Sequence, residues 1–115
     1  PYVPARDQLK GKNILITGGT TGLGRETIRR LGDTGAKIIF TARSKEKGDR
    51  VLSTLPPSTS ASYVVMDLTS FKSVRSASTS IASLLNEGEE ERSISVLLNN
   101  AGVMAVPDRR ITPDG

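Results

Sequence analysis

Eight residues constrain this chain more than any others: Thr17-Gly18-Gly19-Thr20-Thr21-Gly22-Leu23-Gly24. The run Asn13-Ile14-Leu15-Ile16 leads into them, and a helix-like segment opens near Arg25. A strand, a glycine turn and a helix in that order set free N–H groups and the positive end of a helix dipole at the end of a strand. An anionic dinucleotide phosphate can be cradled there. Glycine is required where the backbone turns through positive φ or lies so close to phosphate oxygens that a Cβ would collide. Gly18, Gly22 and Gly24 are spaced Gly-x-x-x-Gly-x-Gly. The commoner Gly-x-Gly-x-x-Gly fingerprint does not fit this register. The rival reading is a tight βα turn with no ligand, and the hydroxyls of Thr17, Thr20 and Thr21 among the glycines weigh against it.

Apolar runs alternate with helical patterns along the rest of the chain. Strands are expected at Asn13–Thr17, Ala36–Thr41, Ser62–Met66 and Ile94–Asn99. The first helix is expected from about Leu23 to Leu31, with Ile28 and Leu31 on its inward face and Gly32 and Gly35 marking its exit. Ser44 is a candidate N-cap for a second helix reaching about Leu55, whose apolar stripe is Val51, Leu52 and Leu55. Pro56-Pro57-Ser58-Thr59-Ser60 is a break. A third helix follows Asp67-Leu68-Thr69-Ser70, with Phe71, Val74, Ala77, Ile81, Leu84 and Leu85 as its apolar positions. Glu87–Arg92 reads as a polar loop, and Val103–Gly115 shows no strong periodicity. The order βαβαβαβ forbids hairpin pairing. It predicts an α/β fold: a Rossmann-type parallel sheet of about four strands, incomplete, with helices on both faces and right-handed crossovers. Residues 17–24, 41–44, 67–68 and 99–102 then all fall at carboxyl ends of strands, where ligands bind in such sheets.

The chain has 115 residues, enough for one domain with a core and hardly for two. It has no cysteine and no histidine, which excludes disulfides, thiolate nucleophiles, zinc clusters and histidine general bases; no metal site is expected. Lack of cysteine fits a reducing compartment such as the cytoplasm. No apolar stretch approaches the roughly 20 residues of a membrane span, and no secretory signal opens the sequence. The net charge of +4 comes from scattered basic residues that read as solvated helix faces or as a mild attraction for an anionic ligand. Tyr2, Phe40, Tyr63 and Phe71 are the only aromatics, too few for base-stacking platforms, so nucleic acid is not an expected partner.

Three motifs taken together resemble the short-chain dehydrogenase/reductase superfamily: Thr-Gly-x-x-x-Gly-x-Gly at 17–24, Asp67-Leu68, and Asn99-Asn100-Ala101-Gly102. Asn99–Met104 followed by Thr112-x-Asp114-Gly115 is similar to its retinol-dehydrogenase-like and protochlorophyllide-reductase-like branch. The resemblance covers nearly the whole chain and implies roles for matching positions. Gly18, Gly22, Leu23 and Gly24 would line the pyrophosphate, with Thr20 and Thr21 donating hydrogen bonds. Asp67 would accept from the adenine amino group, and Leu68 would offer a backbone contact. Asn100, Ala101 and Gly102 would sit beside the adenosine ribose, with Asn100 also bracing the sheet. Without the resemblance, Asp67 is a turn or cap aspartate before Thr69, and Asn99-Asn100 is a polar strand end. Charge decides the expected cofactor. NAD sites commonly place an acid at the end of the second strand, whereas here that strand ends Phe40-Thr41-Ala42-Arg43-Ser44. The planar fork of Arg43 suits a 2′-phosphate, with Ser44 and Lys47 to assist, so NADP(H) is expected over NAD(H).

The resemblance also implies a catalytic Ser and a Tyr-x-x-x-Lys pair with a helper Asn. Tyr2 is followed four residues later by Arg6, and Tyr63 by Asp67. Residues 1–115 are therefore expected to be the N-terminal part of a single dinucleotide-binding domain, with the cofactor half and no catalytic residue. Lipophilic alcohols, aldehydes or ketones would be substrates only of a longer form. The rival is a non-catalytic nucleotide-binding or regulatory module. Epimerase-like chemistry wants Gly-x-x-Gly-x-x-Gly, and Thr21 stands at its middle glycine. The last strand, Ile94–Leu98, should form an apolar sheet edge. Each large aliphatic side chain left uncovered there forfeits roughly 1.5–3 kcal/mol of burial, which favours self-association.

Overall fold

A computed structural model describes residues 7–86 and 93–101. Its elements run β1 (Asn13–Ile16), α1 (Gly22–Leu31), a 3-10 turn (Gly32–Thr34), β2 (Lys37–Ala42), α2 (Lys45–Thr54), β3 (Ala61–Val65), α3 (Phe71–Leu85) and β4 (Val96–Leu98). The four strands form one parallel sheet in the order β3-β2-β1-β4. The Rossmann-type sheet expected from the βα alternation is therefore present. Gly102, the loop at Glu87–Arg92 and the tail from Val103 lie outside the described residues.

The central strands are apolar on both faces because both faces are covered. On one face Ile14, Ile16, Ile38 and Phe40 pack with Ile28 of α1 and Val51 of α2. On the other, Leu15, Ile39, Val64 and Met66 pack with Ala77 and Leu85 of α3. Successive residues of one strand thus belong to different cores, as the period of two requires. α3 carries no basic residue in its last turn. Lys37 of β2 supplies the cation instead, its Nζ donating to the Leu84 carbonyl at 3.1 Å.

Most differences from the sequence expectations are shifts of one or two residues at element ends, and two have physical interest. Gly32 does not end α1 by a left-handed turn. Its φ is −58°, the chain tightens into the 3-10 turn, and the left-handed residue is Gly35 at φ +80°. Phe71 does not join the core of α3: it is the first residue of the helix and is 66% exposed, while Val74, Ile81 and Leu84 pack against that core and Ala77 and Leu85 are buried in it. Among the described residues β4 holds an edge of the sheet, paired with β1. Val96 and Leu97 are 44% and 51% exposed, and Ile94 before them is 40% exposed. No helix among the described residues is long and apolar enough to cross a membrane.

Candidate functional site

The chain winds outward from β1 to β2 to β3, then α3 carries it back to the far side of β1. Strand order therefore reverses at β1, which pairs with β2 on one side and β4 on the other, and in such sheets a crevice lies at the carboxyl ends beside that reversal. Polar side chains stitch its floor. Thr17 Oγ1 accepts from the backbone N–H groups of Asn100 and Ala101, both at 3.1 Å. Asn100 Nδ2 donates to the Gly18 carbonyl at 3.0 Å, so Asn100 does brace β4 against the glycine turn.

The turn is built for close approach. Gly18 has φ +70°, and a Cβ there would lie 2.9 Å from the Ala101 Cα. A Cβ on Gly24 would come within 2.5 Å of the Gly18 carbonyl oxygen and 2.6 Å of Asn100 Nδ2. Gly22 has open space around it, and its requirement is the backbone alone, at φ +56°. Gly19 was not singled out from the sequence. A Cβ on it would meet Ile28 Cδ1 at 2.7 Å and Phe40 Cβ at 2.8 Å, so it lets the turn settle onto the core.

Helix α1 opens uncapped. Its N-cap residue, Thr21, makes no side-chain cap hydrogen bond, and its first turn holds no acid. The other helices differ: Ser44 accepts from Lys47 N in α2, and Ser70 accepts from Ser73 N in α3, both at 3.3 Å. Among the described residues, no hydrogen bond takes up the N–H groups of Thr20 through Gly24. An uncapped helix start with unused donors is the arrangement that favours an anion.

A cleft of about 360 Å³ lies beside this turn. It joins Gly18, Thr20, Thr21, Arg43, Asp67, Leu68, Asn100 and Ala101, residues drawn from all four strand ends. Lys47 also lines it. Gly22, Leu23, Gly24 and Ser44 do not. Leu23 points outward at 80% exposure, Gly24 is buried where α1 seats on the turn, and Ser44 is occupied as a helix cap. Thr41 and Ala42, inside the marked segment 41–44 but given no role there, are also wall residues, and Met66 and Thr69 join them from outside the marked segments. The signal for them was position, since each adjoins a strand end already marked.

Asp67 is a turn aspartate that also faces the cleft. It lines the cleft, and its Oδ1 accepts from the Thr69 hydroxyl at 2.7 Å and the Thr69 N–H at 3.0 Å. Those bonds, with the positive charge of Arg43 as a lesser cause, hold its carboxyl below the usual range. Arg43 itself makes no hydrogen bond or ion pair among the described residues. Tyr63 lies away from the cleft walls. Its hydroxyl donates to Asp49 Oδ1 at 2.7 Å, which pushes the phenol pKa up and holds the Asp49 carboxyl down.

Comparison with known proteins agrees with this geometry. The family model described as short chain dehydrogenase matches residues 12–114. A short-chain dehydrogenase/reductase of Armillaria gallica is 37% identical over 109 residues, which is 93% of this chain and 33% of the relative. Retinol dehydrogenase 11 of Homo sapiens is 36% identical over 111 residues, 94% of this chain and 33% of its own length. The chain thus spans about a third of the curated relatives it matches. Among solved structures, a variant of actinorhodin polyketide ketoreductase with NADPH superposes with a TM-score of 0.68 at 28% identity, covering 81% of this chain and 34% of the other. The citronellol catabolism dehydrogenase of Pseudomonas aeruginosa gives 0.67 at 26% identity, covering 84% and 39%.

Proposed function

The chain belongs to the short-chain dehydrogenase family, in its retinol-dehydrogenase-like branch, and we propose that it is the NADP(H)-binding N-terminal portion of an alcohol or carbonyl oxidoreductase. The cofactor, when bound, supplies the hydride; the residues here bind and orient it. In this reading the free N–H groups of Thr20 through Gly24 and the hydroxyls of Thr20 and Thr21 receive the pyrophosphate. Asp67 and Leu68 meet the adenine, and Asn100, Ala101 and Gly102 flank the ribose. Relatives named retinol dehydrogenases support a lipophilic alcohol or carbonyl substrate for the whole protein.

The observation that carries the preference for NADP(H) is the wall of the cleft at the end of β2. Arg43 and Lys47 line it, and β2 ends without an acid. Asp67, the acid across from them, spends its Oδ1 on Thr69. Titrating the protein with NADPH and NADH, followed by nicotinamide fluorescence, tests the preference. NADPH should bind more tightly, and Arg43→Ala should weaken NADPH by about tenfold or more with NADH little changed, the size of one charge-assisted hydrogen bond. Equal or tighter binding of NADH by the unmodified protein would rule the preference out.

The rival reading is a nucleotide-binding or regulatory module without turnover. The observation on its side is that the Tyr63 hydroxyl is committed to Asp49, away from the cleft walls. A transcript that continues past Gly115 into Tyr-x-x-x-Lys would favour the enzyme.

A further inference from the structure

We infer that Thr41 is a positioning residue of the dinucleotide cradle, fixing by two hydrogen bonds which backbone donors of the glycine turn face the cleft. The inference rests on the binding function proposed above.

Thr41 lies near the end of β2, 3% exposed, one strand away from the turn. Its Oγ1 accepts from Gly18 N at 3.0 Å, and its carbonyl accepts from Gly19 N at 3.2 Å. Thr17 N, the donor before them, goes to the Leu98 carbonyl at 3.0 Å. Three consecutive N–H groups of the motif are therefore spent inside the protein, two of them on one residue. The next five, from Thr20 to Gly24, have no partner among the described residues. The boundary between spent and available donors falls where Thr41 ends its reach.

This boundary matters because the turn has more than one way to fold. Gly18 sits at positive φ and Gly19 has no side chain to hold it. Without an acceptor opposite, the peptide between Thr17 and Gly18 can rotate its N–H away from β2, and the carbonyl of Thr17 would then swing the opposite way. A buried N–H seeks a partner, so the Oγ1 of Thr41 selects one orientation. Thr41 lines the cleft as well, but in this inference it acts on the ligand through the turn. Its bonds are to the pyrophosphate loop and not to the end of the cleft that holds Arg43. It should therefore act on both nicotinamide dinucleotides alike.

Thr41→Val keeps the shape and the carbonyl and deletes the hydroxyl acceptor; Thr41→Ser keeps the hydroxyl. The two variants and the unmodified protein would be titrated with NADPH and NADH, and amide hydrogen exchange followed at Gly18 by NMR without ligand. Thr41→Val should weaken both dinucleotides by the same factor, about tenfold, the size of one lost hydrogen bond. Thr41→Ser should restore both. Gly18 should be protected in the unmodified protein and in Thr41→Ser, and should exchange faster in Thr41→Val. Unchanged binding in Thr41→Val, or weakening confined to NADPH, would overturn the inference; so would Thr41→Ser behaving like Thr41→Val. If the unmodified protein binds neither dinucleotide, the proposed function fails, and Gly18 exchange still decides whether Thr41 holds the turn.

Discussion

At Gly18 the backbone stands at φ +70° while the Ala101 Cα closes the space a side chain would need. Gly18→Ala meets both obstacles. The left-handed conformation alone costs a non-glycine residue about 1–3 kcal/mol, and the clash is with backbone, which cannot swing aside. Gly18→Ala should lower the denaturant midpoint accordingly and abolish dinucleotide binding. Gly22→Ala, which faces open space, should lose stability through φ alone and by less. Equal losses at the two positions would show that the contact with Ala101 is unimportant. That glycine was wanted at both positions was legible from their spacing. That one is demanded by φ and a neighbour and the other by φ only was not, because Ala101 is distant in sequence and reaches Gly18 only when β4 docks on β1. The same distance hid the role of Thr41, which the sequence marks only as the end of an apolar strand. Its polarity acquires a purpose only beside Gly18.

Among the elements, α1 is held in two different ways along its length. Its start has no side-chain cap and follows Thr20 and Thr21 of the cleft wall. Further along, Glu26 accepts from Arg29 at 2.6 Å and from Arg30 at 2.9 Å, and these two guanidinium groups lower its pKa from 4.5 to about 2. The folded-state pKa is depressed, so the contribution is present above the unfolded value and is lost as pH falls through the folded one. Between pH 4.5 and about 2 the unmodified protein should lose helical signal in circular dichroism that Glu26→Gln does not lose. The triad is solvent-exposed, so the difference should be small and should shrink in high salt. Matching pH profiles for the two proteins would mean that the triad adds nothing. The period of helical residues made α1, α2 and α3 legible. Their ends were less so, because the 3-10 turn after Leu31 and the exposed position of Phe71 depend on what each helix end meets.

For the whole molecule, the unbalanced feature is the edge at β4. Its neighbour β1 is central and covered, whereas Val96 and Leu97 remain about half exposed on opposite faces of the strand. Parallel sheets are normally covered on both faces, and an apolar edge offers unpaired backbone groups to another chain. We expect the protein to associate with itself as concentration rises, in sedimentation velocity, and Leu97→Lys to reduce that association. A monodisperse monomer with a cooperative melt across the same concentrations would contradict this.

What the amino-acid order determined by itself is local and periodic. Apolar runs broken by turns, helical stripes between them and the glycine spacing with its companion motifs led to a parallel α/β sheet and to the short-chain dehydrogenase family. These signals survive in one dimension because each depends on residues within a few positions of one another. The tertiary structure alone decided which donors of the glycine turn stay unpaired. The N–H groups of Gly18 and Gly19 are taken by Thr41, and those of Thr20 to Gly24 have no partner among the described residues. It also gathered Thr20, Thr21, Arg43, Asp67 and Asn100 around one cleft, with Leu23, Gly24 and Ser44 off its walls. The physical reason is the same for both: a hydrogen-bond partner or a steric limit is set by whichever strand end arrives alongside, and strand ends far apart in sequence become neighbours only when the sheet closes.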